Sequence, residues 1–448
     1  MKCRRSTILP KLLAAAGGLT LSTAARAQNL CGDFVAVPSP GQGVAGSVLS
    51  AVAANGTTGF AVGRFYPGGA GPFVPLLYRL AGSEWLEQPL PSGPPQATNL
   101  VLMSAGMSPA TNSDAWIVGY VDVPPPTTNL PLIARWRDGS FDRVETPELR
   151  PQTVYPFGPR SGFGYDVSVV ARDDVWVVGI AVGFGDAVAS SVAMALHWTG
   201  SGWEDVPTVI VATRTNEFDA VSAPTSSDVW AVGTSRNIGQ AYYGLIQRWD
   251  GARWNVVDHP AQSLPASQFH EVLAFPSGEV WVAGAVNYTD PLLYRWNGAS
   301  WESMPLPGGG AVIAMAGRAP NDFWASSAGP VFSLFHWDGA AWTEVPNPPP
   351  PSGLVDSTRG LAIAGPCDVW AVGSQMNSTG FFGTLIEHLE PRGCPADFNR
   401  DGQQDFFDYL DFAVAFDAQD PRADFDANGQ IDFFDYLDFV GAFDAGCD

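Results

Sequence analysis

After Lys11 the sequence contains no lysine; the only two are Lys2 and Lys11. That absence excludes a Schiff-base lysine, a P-loop and a lysine-rich nucleic-acid surface from everything downstream. Positive charge is scarce throughout. With 23 basic and 45 acidic residues the formal net charge is −22, which disfavours nucleic acid and anionic membranes as partners. Cysteine and histidine are rare as well, five of each. No Ser/His/Asp elbow, zinc motif or dinucleotide fingerprint is present. Beyond the N-terminus no stretch approaches the roughly 18 apolar residues of a membrane span.

The N-terminus reads as an export signal. Lys2, Arg4 and Arg5 are followed by a mostly apolar run, Ile8–Leu21, and by Ala25-Arg26-Ala27, an A-x-A cleavage site. Residues 1–27 are therefore expected to be a signal peptide and the protein to be secreted or held at the cell surface. Arg4-Arg5 admits a twin-arginine reading, but the residues after the pair fit it poorly.

What the chain has in quantity is turn and strand chemistry: 38 prolines, 49 glycines and 16 tryptophans around short Val/Trp-rich runs. These runs repeat. SSDVWAVG (Ser226–Gly233) aligns with RDDVWVVG (Arg172–Gly179), SGEVWVAG (Ser277–Gly284) and GPCDVWAVG (Gly365–Gly373), with weaker copies at Asn112, Pro320 and Thr57. A second signature follows each, as in LIQRWDGARWNVV (Leu245–Val257) and LLYRWNGASWESM (Leu292–Met304). A unit of about 43–60 residues with four strand-like runs describes a propeller blade. The last unit lacks its fourth strand, and GDFVAVPSP (Gly32–Pro40) matches that strand without any before it. The expectation is mainly β: a seven-bladed β-propeller over residues 28–393, closed by its own N-terminal strand, which leaves no open sheet edge.

The repeated blade motif resembles the kelch-like and sialidase-repeat-like propellers of secreted bacterial proteins. It specifies blade structure and no activity. The arginine triad and tyrosine nucleophile of a sialidase are not located here, nor are the copper ligands of a galactose-oxidase-like enzyme. Trp116, Trp176, Trp230, Trp281, Trp324 and Trp370 are expected to pack between blades, and the recurring Asp114, Asp174, Asp228, Asp322 and Asp368 to cap turns. His197, His336 and His388 repeat with the scaffold. A site is sought where the repeat breaks: one position of each innermost strand reads Ser50, Asp166, Asp219, His270, Ile313 and Arg359. Asp166 and Asp219 form a candidate carboxylate pair there, with His270 or Arg359 nearby. The bland alternative is a solvated channel entrance.

The tail differs in kind. From Cys394 to Asp448 there are fourteen aspartates, no glutamate and two arginines, a net charge of −12. ADFNRDGQQDFFDYLDF (Ala396–Phe412) recurs as ADFDANGQIDFFDYLDF (Ala423–Phe439). On a calcium loop, Asp397, Asn399, Asp401, Gln403, Asp405 and Asp408 take positions 1, 3, 5, 7, 9 and 12, with Gly402 at the sharp turn. Asp424, Asp426, Asn428, Gln430, Asp432 and Asp435 take the same positions in the second copy. Hard oxygens at alternate positions suit two Ca2+ ions. Helical spacing follows each loop, through Phe407, Leu410 and Val414 and through Phe434, Leu437, Val440 and Phe443.

One helix after each loop, duplicated at the C-terminus of an exported chain, resembles the dockerin family over residues 394–448. That resemblance implies calcium-dependent attachment to a cohesin-like scaffold or envelope protein, and a monomer. It also implies that loop positions 10 and 11, Phe406-Phe407 and Phe433-Phe434, choose the partner; Phe407 and Phe434 are alternatively expected to pack the small core. Gln404 at loop position 8 departs from the usual apolar residue, which Ile431 supplies in the second loop. The ending Gly446-Cys447 is similar to a dockerin variant in which it contributes to anchoring. A disulfide Cys394–Cys447 is the competing reading, and within the propeller Cys31–Cys367 would pin the closing strand. Four cysteines after the signal allow three connectivities.

Function then divides three ways, one of them a tail that is only a calcium-stabilised cap on the propeller with no partner. The first expectation is a docked protein whose propeller is a binding or display module, for polysaccharide or an envelope component. The alternative is a docked glycoside hydrolase or lyase with its site at the channel.

Overall fold

The structure, a computed structural model, describes residues 31–445 except 42–45, 67–72, 92, 94–96, 98, 109–113, 125–128, 138, 148, 150–160, 185–188, 288, 308–309, 329–331, 346–355, 366–367, 377–381, 392–395, 399–403, 421–422, 424 and 426–429. It falls into two compact units, Asp33–Leu389 and one containing Glu390–Asp448. The first is a seven-bladed β-propeller of seven four-stranded antiparallel sheets. Among the described residues no helix is long and apolar enough to cross a membrane.

Blade four shows the local logic. Its strands are Thr215–Thr225, Asp228–Arg236, Tyr243–Trp249 and Trp254–Val256, counted from the axis outward. The second strand is buried from Val229 to Ser235, because neighbouring blades cover both of its faces. That double burial explains a continuous apolar run where a one-sided strand would alternate. Asp250 shapes the outer turn: its Oδ1 accepts the N–H groups of Ala252 and Arg253 at 2.9 and 3.0 Å, and Gly251 supplies the φ of 92°. Gly233 ends the motif for a different reason. A Cβ there would lie 2.2 Å from the Glu217 carbonyl oxygen on the innermost strand.

The ring closes as the repeat count requires. Cys31–Ala36 pairs with Phe382–Pro391, the third strand of blade seven. Val37 N–H continues the ladder to the Ile386 carbonyl at 2.8 Å.

Aromatic rings join all seven blades in one sense. The second-strand ring of each blade meets the outer-strand aromatics of the next. Phe60 meets Trp136 and Phe141, Trp116 meets Trp198 and Trp203, and Trp176 meets Trp249 and Trp254. Trp230 meets Trp301, Trp281 meets Trp337 and Trp342, Trp324 meets Phe34, and Trp370 meets Trp85. Each such pair adds about 0.5–1.5 kcal/mol beyond the area it buries.

The recurring aspartates are not turn caps. Asp114, Asp174, Asp228, Asp322 and Asp368 pair with Arg135, His197, Arg248, His336 and His388 at 2.7–2.8 Å, and Glu279 pairs with Arg295 at 2.8 Å in blade five. Each basic partner lies directly across the sheet from the motif tryptophan and covers its ring; His388 stacks on Trp370 at 3.7 Å and Arg135 lies 4.9 Å above Trp116. The side chain at that cross-strand position is therefore both a hydrogen-bond partner for the acid and a lid for the indole.

The tail unit holds two helices, α1 (Phe406–Asp417) and α2 (Phe433–Ala445). At the centre of its core two aromatics meet their own copies. Phe412 stacks on Phe439 at 3.9 Å with a 5° tilt, and the hydroxyls of Tyr409 and Tyr436, 27 residues apart, are 2.5 Å from one another.

Candidate functional site

Every innermost strand breaks register at the same place, opposite the glycine position of the second strand. The residue left over is Ser50, Met103, Tyr165, Asp219, His270, Ile313 or Arg359 in blades one to seven. A bulge lets a strand bend at the crowded axis and re-aims the side chain it leaves unpaired. The ring expected from the sequence is therefore correct at Ser50, Asp219, His270, Ile313 and Arg359. It is corrected at Asp166, whose place belongs to Tyr165, and completed by Met103.

Asp166 belongs to the next ring, with Ala51, Ser104, Ala220, Glu271, Ala314 and Gly360. This ring lines an axial cavity of about 280 Å3 bounded by all seven innermost strands. Asp219 and Arg359 border the same cavity. The expected pairing of Asp166 with Asp219 is replaced by two separate arrangements. Asp219 Oδ2 lies 3.5 Å from His270 Nδ1. Asp166 accepts from Ser104 Oγ at 2.7 Å and from Val221 N at 2.8 Å, and so ties blade three to blades two and four. No carboxylate pairs with Arg359 among the described residues.

Glu271 is the group that sequence reasoning missed. Burial, then the charges of Asp166 and Asp219, push its carboxyl well above the usual range, although a backbone bond from Met315 opposes them. Burial also raises Asp166, against its bonds from Val221, Ser104 and Val167. Around the neighbouring bulge ring, burial raises Glu217 and Tyr165, and the Asp219 charge adds to both. The channel is thus an acidic cavity in which two carboxyls, Glu271 and Asp166, are shifted toward the protonated form. Glu271 directly follows a bulge residue, as Asp166 does, so the signal was available once the bulge was placed at Tyr165.

In the tail, Asp405 and Asp432 begin the two helices in the same way. Asp405 Oδ1 accepts the Phe407 N–H at 2.8 Å, and Asp408 Oδ2 accepts the Asp405 N–H at 2.8 Å. Asp432 and Asp435 repeat both bonds at 2.8 and 2.7 Å. Loop positions 9 and 12 are therefore also the cap and third residue of a helix, a reciprocal capping box. Asp408 and Asp435 are buried. Asp397 and Gln430 are described too; Asn399, Asp401, Gln403, Asp424, Asp426 and Asn428 lie outside the described residues. So do Cys367, Cys394, Cys447 and the side chain of Cys31, and with them both disulfide pairings. Among the described residues no cluster of three metal-ligating groups forms.

The helix faces differ from the expected ones. The tail core is Phe412, Ala415, Ala423 and Phe439, with Tyr409, Phe416, Tyr436, Val440 and Phe443 around it. Phe407, Leu410, Val414, Phe434 and Leu437 lie outside that core. Phe406, Phe407, Phe433 and Phe434 are 62–65% exposed, which corrects the assignment of Phe407 and Phe434 to packing. Gln404, the departure from the loop pattern, donates its amide to the Phe443 carbonyl, whereas Ile431 joins the core.

No family model matches the chain. No curated protein matches it. Among solved structures, YCF48 bound to D1 peptide aligns with TM-score 0.50 and 13% identity, over 80% of this chain and 97% of that one. YCF48 from Cyanidioschyzon merolae aligns with TM-score 0.49 and 14% identity, over 80% and 99%. At these identities the likeness shows the fold alone.

Proposed function

We propose that this protein is secreted, docks through its tail in a calcium-dependent way to a cohesin-like partner, and uses its propeller as a binding or display module for polysaccharide or an envelope component. The observation that carries the reading is the outer face of the tail helices. Four phenylalanines at equivalent positions of α1 and α2 stand in solvent, beside Leu410, Val414 and Leu437. A unit with an aromatic core of its own has no folding reason to expose a second apolar face twice. The described loop residues Asp397, Asp405, Asp408, Gln430, Asp432 and Asp435 offer oxygen donors only, which fits calcium. Two bound calcium ions would offset half of the charge of the eight loop carboxylates.

The test is capture of envelope and secreted fractions on the immobilised mature chain, with calcium or chelator, beside a variant carrying Phe406→Ser, Phe407→Ser, Phe433→Ser and Phe434→Ser. Retention of a cohesin-like protein only with calcium, and only by the parent, supports the reading. Equal retention by the variant sinks it.

A docked polysaccharide-degrading enzyme is the second reading, favoured by Glu271 and Asp166 in one cavity. Turnover on a polysaccharide panel that vanishes in Glu271→Gln would establish it; no turnover by the parent removes it.

A further inference from the structure

A second cavity, of about 250 Å3, opens at one end of blade four, away from the channel residues. Its walls are held rigidly. Gln247, fully buried, clamps the backbone of Val209 through both ends of its amide, accepting from the N–H at 3.0 Å and donating to the carbonyl at 2.7 Å. Asn216 Oδ1 accepts the N–H groups of Val211 and Ala212 at 2.9 and 3.0 Å, and its amide donates to the Ala212 carbonyl at 2.7 Å. Two buried amides spent on shaping a connecting segment mark a preformed wall.

Two residues on this cavity carry buried polar atoms that the fold leaves without partners. One is His259 Nδ1 and the other is Arg236 Nε. His259 is only 6% exposed and lies edge-on to Phe269 at 5.2 Å. Burial lowers its pKa to about 4, against a bond to the Gly244 backbone that favours the charged ring. Nδ1 of this buried ring is left without a partner among the described residues. Arg236 lies 4.4 Å over the Tyr242 ring and forms no ion pair among the described residues. Glu217 is close enough to feel its charge but is bonded to Thr234 Oγ1 at 2.6 Å. A buried imidazole with an unpartnered nitrogen, an unpaired cation and the rim side chains Asn237, Gln240, Tyr243 and Gln262 share one cavity.

We infer that this cavity binds a hydroxy-carboxylate of the uronic-acid class, with the carboxylate on Arg236 and a hydroxyl hydrogen-bonded to His259. The size is at the small end of ligand pockets and suits one sugar ring. Arginine is the side chain fitted to a planar carboxylate, and an unpaired one in so acidic a protein provides the local charge that an anion needs. Amides and a tyrosine ring match the remaining hydroxyls and the ring face of a sugar. The inference deepens the propeller half of the proposed function, is independent of the tail, and leaves the channel unused.

The test is calorimetric titration of the mature full chain with glucuronate, glucose, acetate and an oligogalacturonate. Saturable binding of glucuronate is expected, with glucose and acetate weaker by roughly tenfold or more because each offers half of the recognised groups. A stronger oligogalacturonate than monomer assigns the ligand to a polymer, and the reverse to a free sugar acid; both support the site. Arg236→Gln should weaken glucuronate roughly tenfold, and His259→Phe, which keeps the ring and removes its nitrogens, should weaken it too. If His259→Phe does not fold, Arg236→Gln carries the test alone. Uronate binding unchanged by Arg236→Gln overturns this site while the ligand-presenting reading stands. No binding of any saccharide overturns this site and the polysaccharide form of the proposed function, and leaves the envelope-component form standing.

Discussion

Phe34 meets Trp324 edge to face, with ring centroids 5.7 Å apart and planes at 81°. Phe34 is on the first described strand and Trp324 in blade six, so this contact gives the sixth junction the aromatic that a fourth strand supplies elsewhere. The ring of seven junctions is completed by the N-terminal strand both as a hydrogen-bonded edge and as a side chain.

Phe34→Ala should therefore destabilise the propeller as a core truncation does, by about 3–5 kcal/mol. Thermal unfolding measures it, and limited proteolysis should show the N-terminal strand cut first. An unchanged melting temperature would deny the strand its closing role.

Gly233→Ala places a methyl 2.2 Å from the Glu217 carbonyl oxygen. A loss of about 1–3 kcal/mol is expected from overpacking, because the obstacle is backbone. Blade six has Ser327 at this position, so Gly233→Ser in denaturant unfolding asks whether the tolerance belongs to that blade alone.

Two carboxyls should tilt the pH dependence of stability in opposite directions. Burial pushes Asp174 up, but bonds from His197 and Ser226 and the His197 charge together hold it below its ordinary value. Its contribution is present above the unfolded carboxylate range, about pH 4, and is lost as pH falls through the lower folded value. Asp174→Asn should flatten the acid limb of the stability profile. Glu271 is raised, so its contribution is complete below about pH 4 and is lost as pH rises through the folded value. Glu271→Gln should gain on the parent as pH increases, which melting curves from pH 3 to 8 would register.

The tail provides a contrast within one helix. Phe406→Ser and Phe407→Ser should leave stability within about 0.5 kcal/mol, since both side chains stand in solvent. Phe412→Ala, which removes the ring stacked on Phe439, should cost about 3–5 kcal/mol. Equal losses would mean that the outer face packs after all.

Much of this protein is written locally. A blade repeats because each sheet buries the same run against its neighbours, so the VWAVG motif, the Asp-Gly turns and the missing fourth strand were enough to give seven blades and their closure. The helix starts of the tail are local as well, since Asp405 and Asp408 act on their own backbone, although the expectation from sequence there is of loop positions only. Tertiary structure decided what depends on register and on facing. A one-residue bulge moved Tyr165 into the ring read for Asp166, because a strand's side chains change faces with every residue. The recurring acids turned to the basic side chains across the sheet, a partner that only the strand register brings within hydrogen-bond reach. Each tail helix carries apolar residues on two faces, and only the packing of one repeat on the other could choose Phe412 for the core and leave Phe407 in water. His259 and Arg236, 23 residues apart in sequence and without any motif, share a cavity because one blade folds back between them.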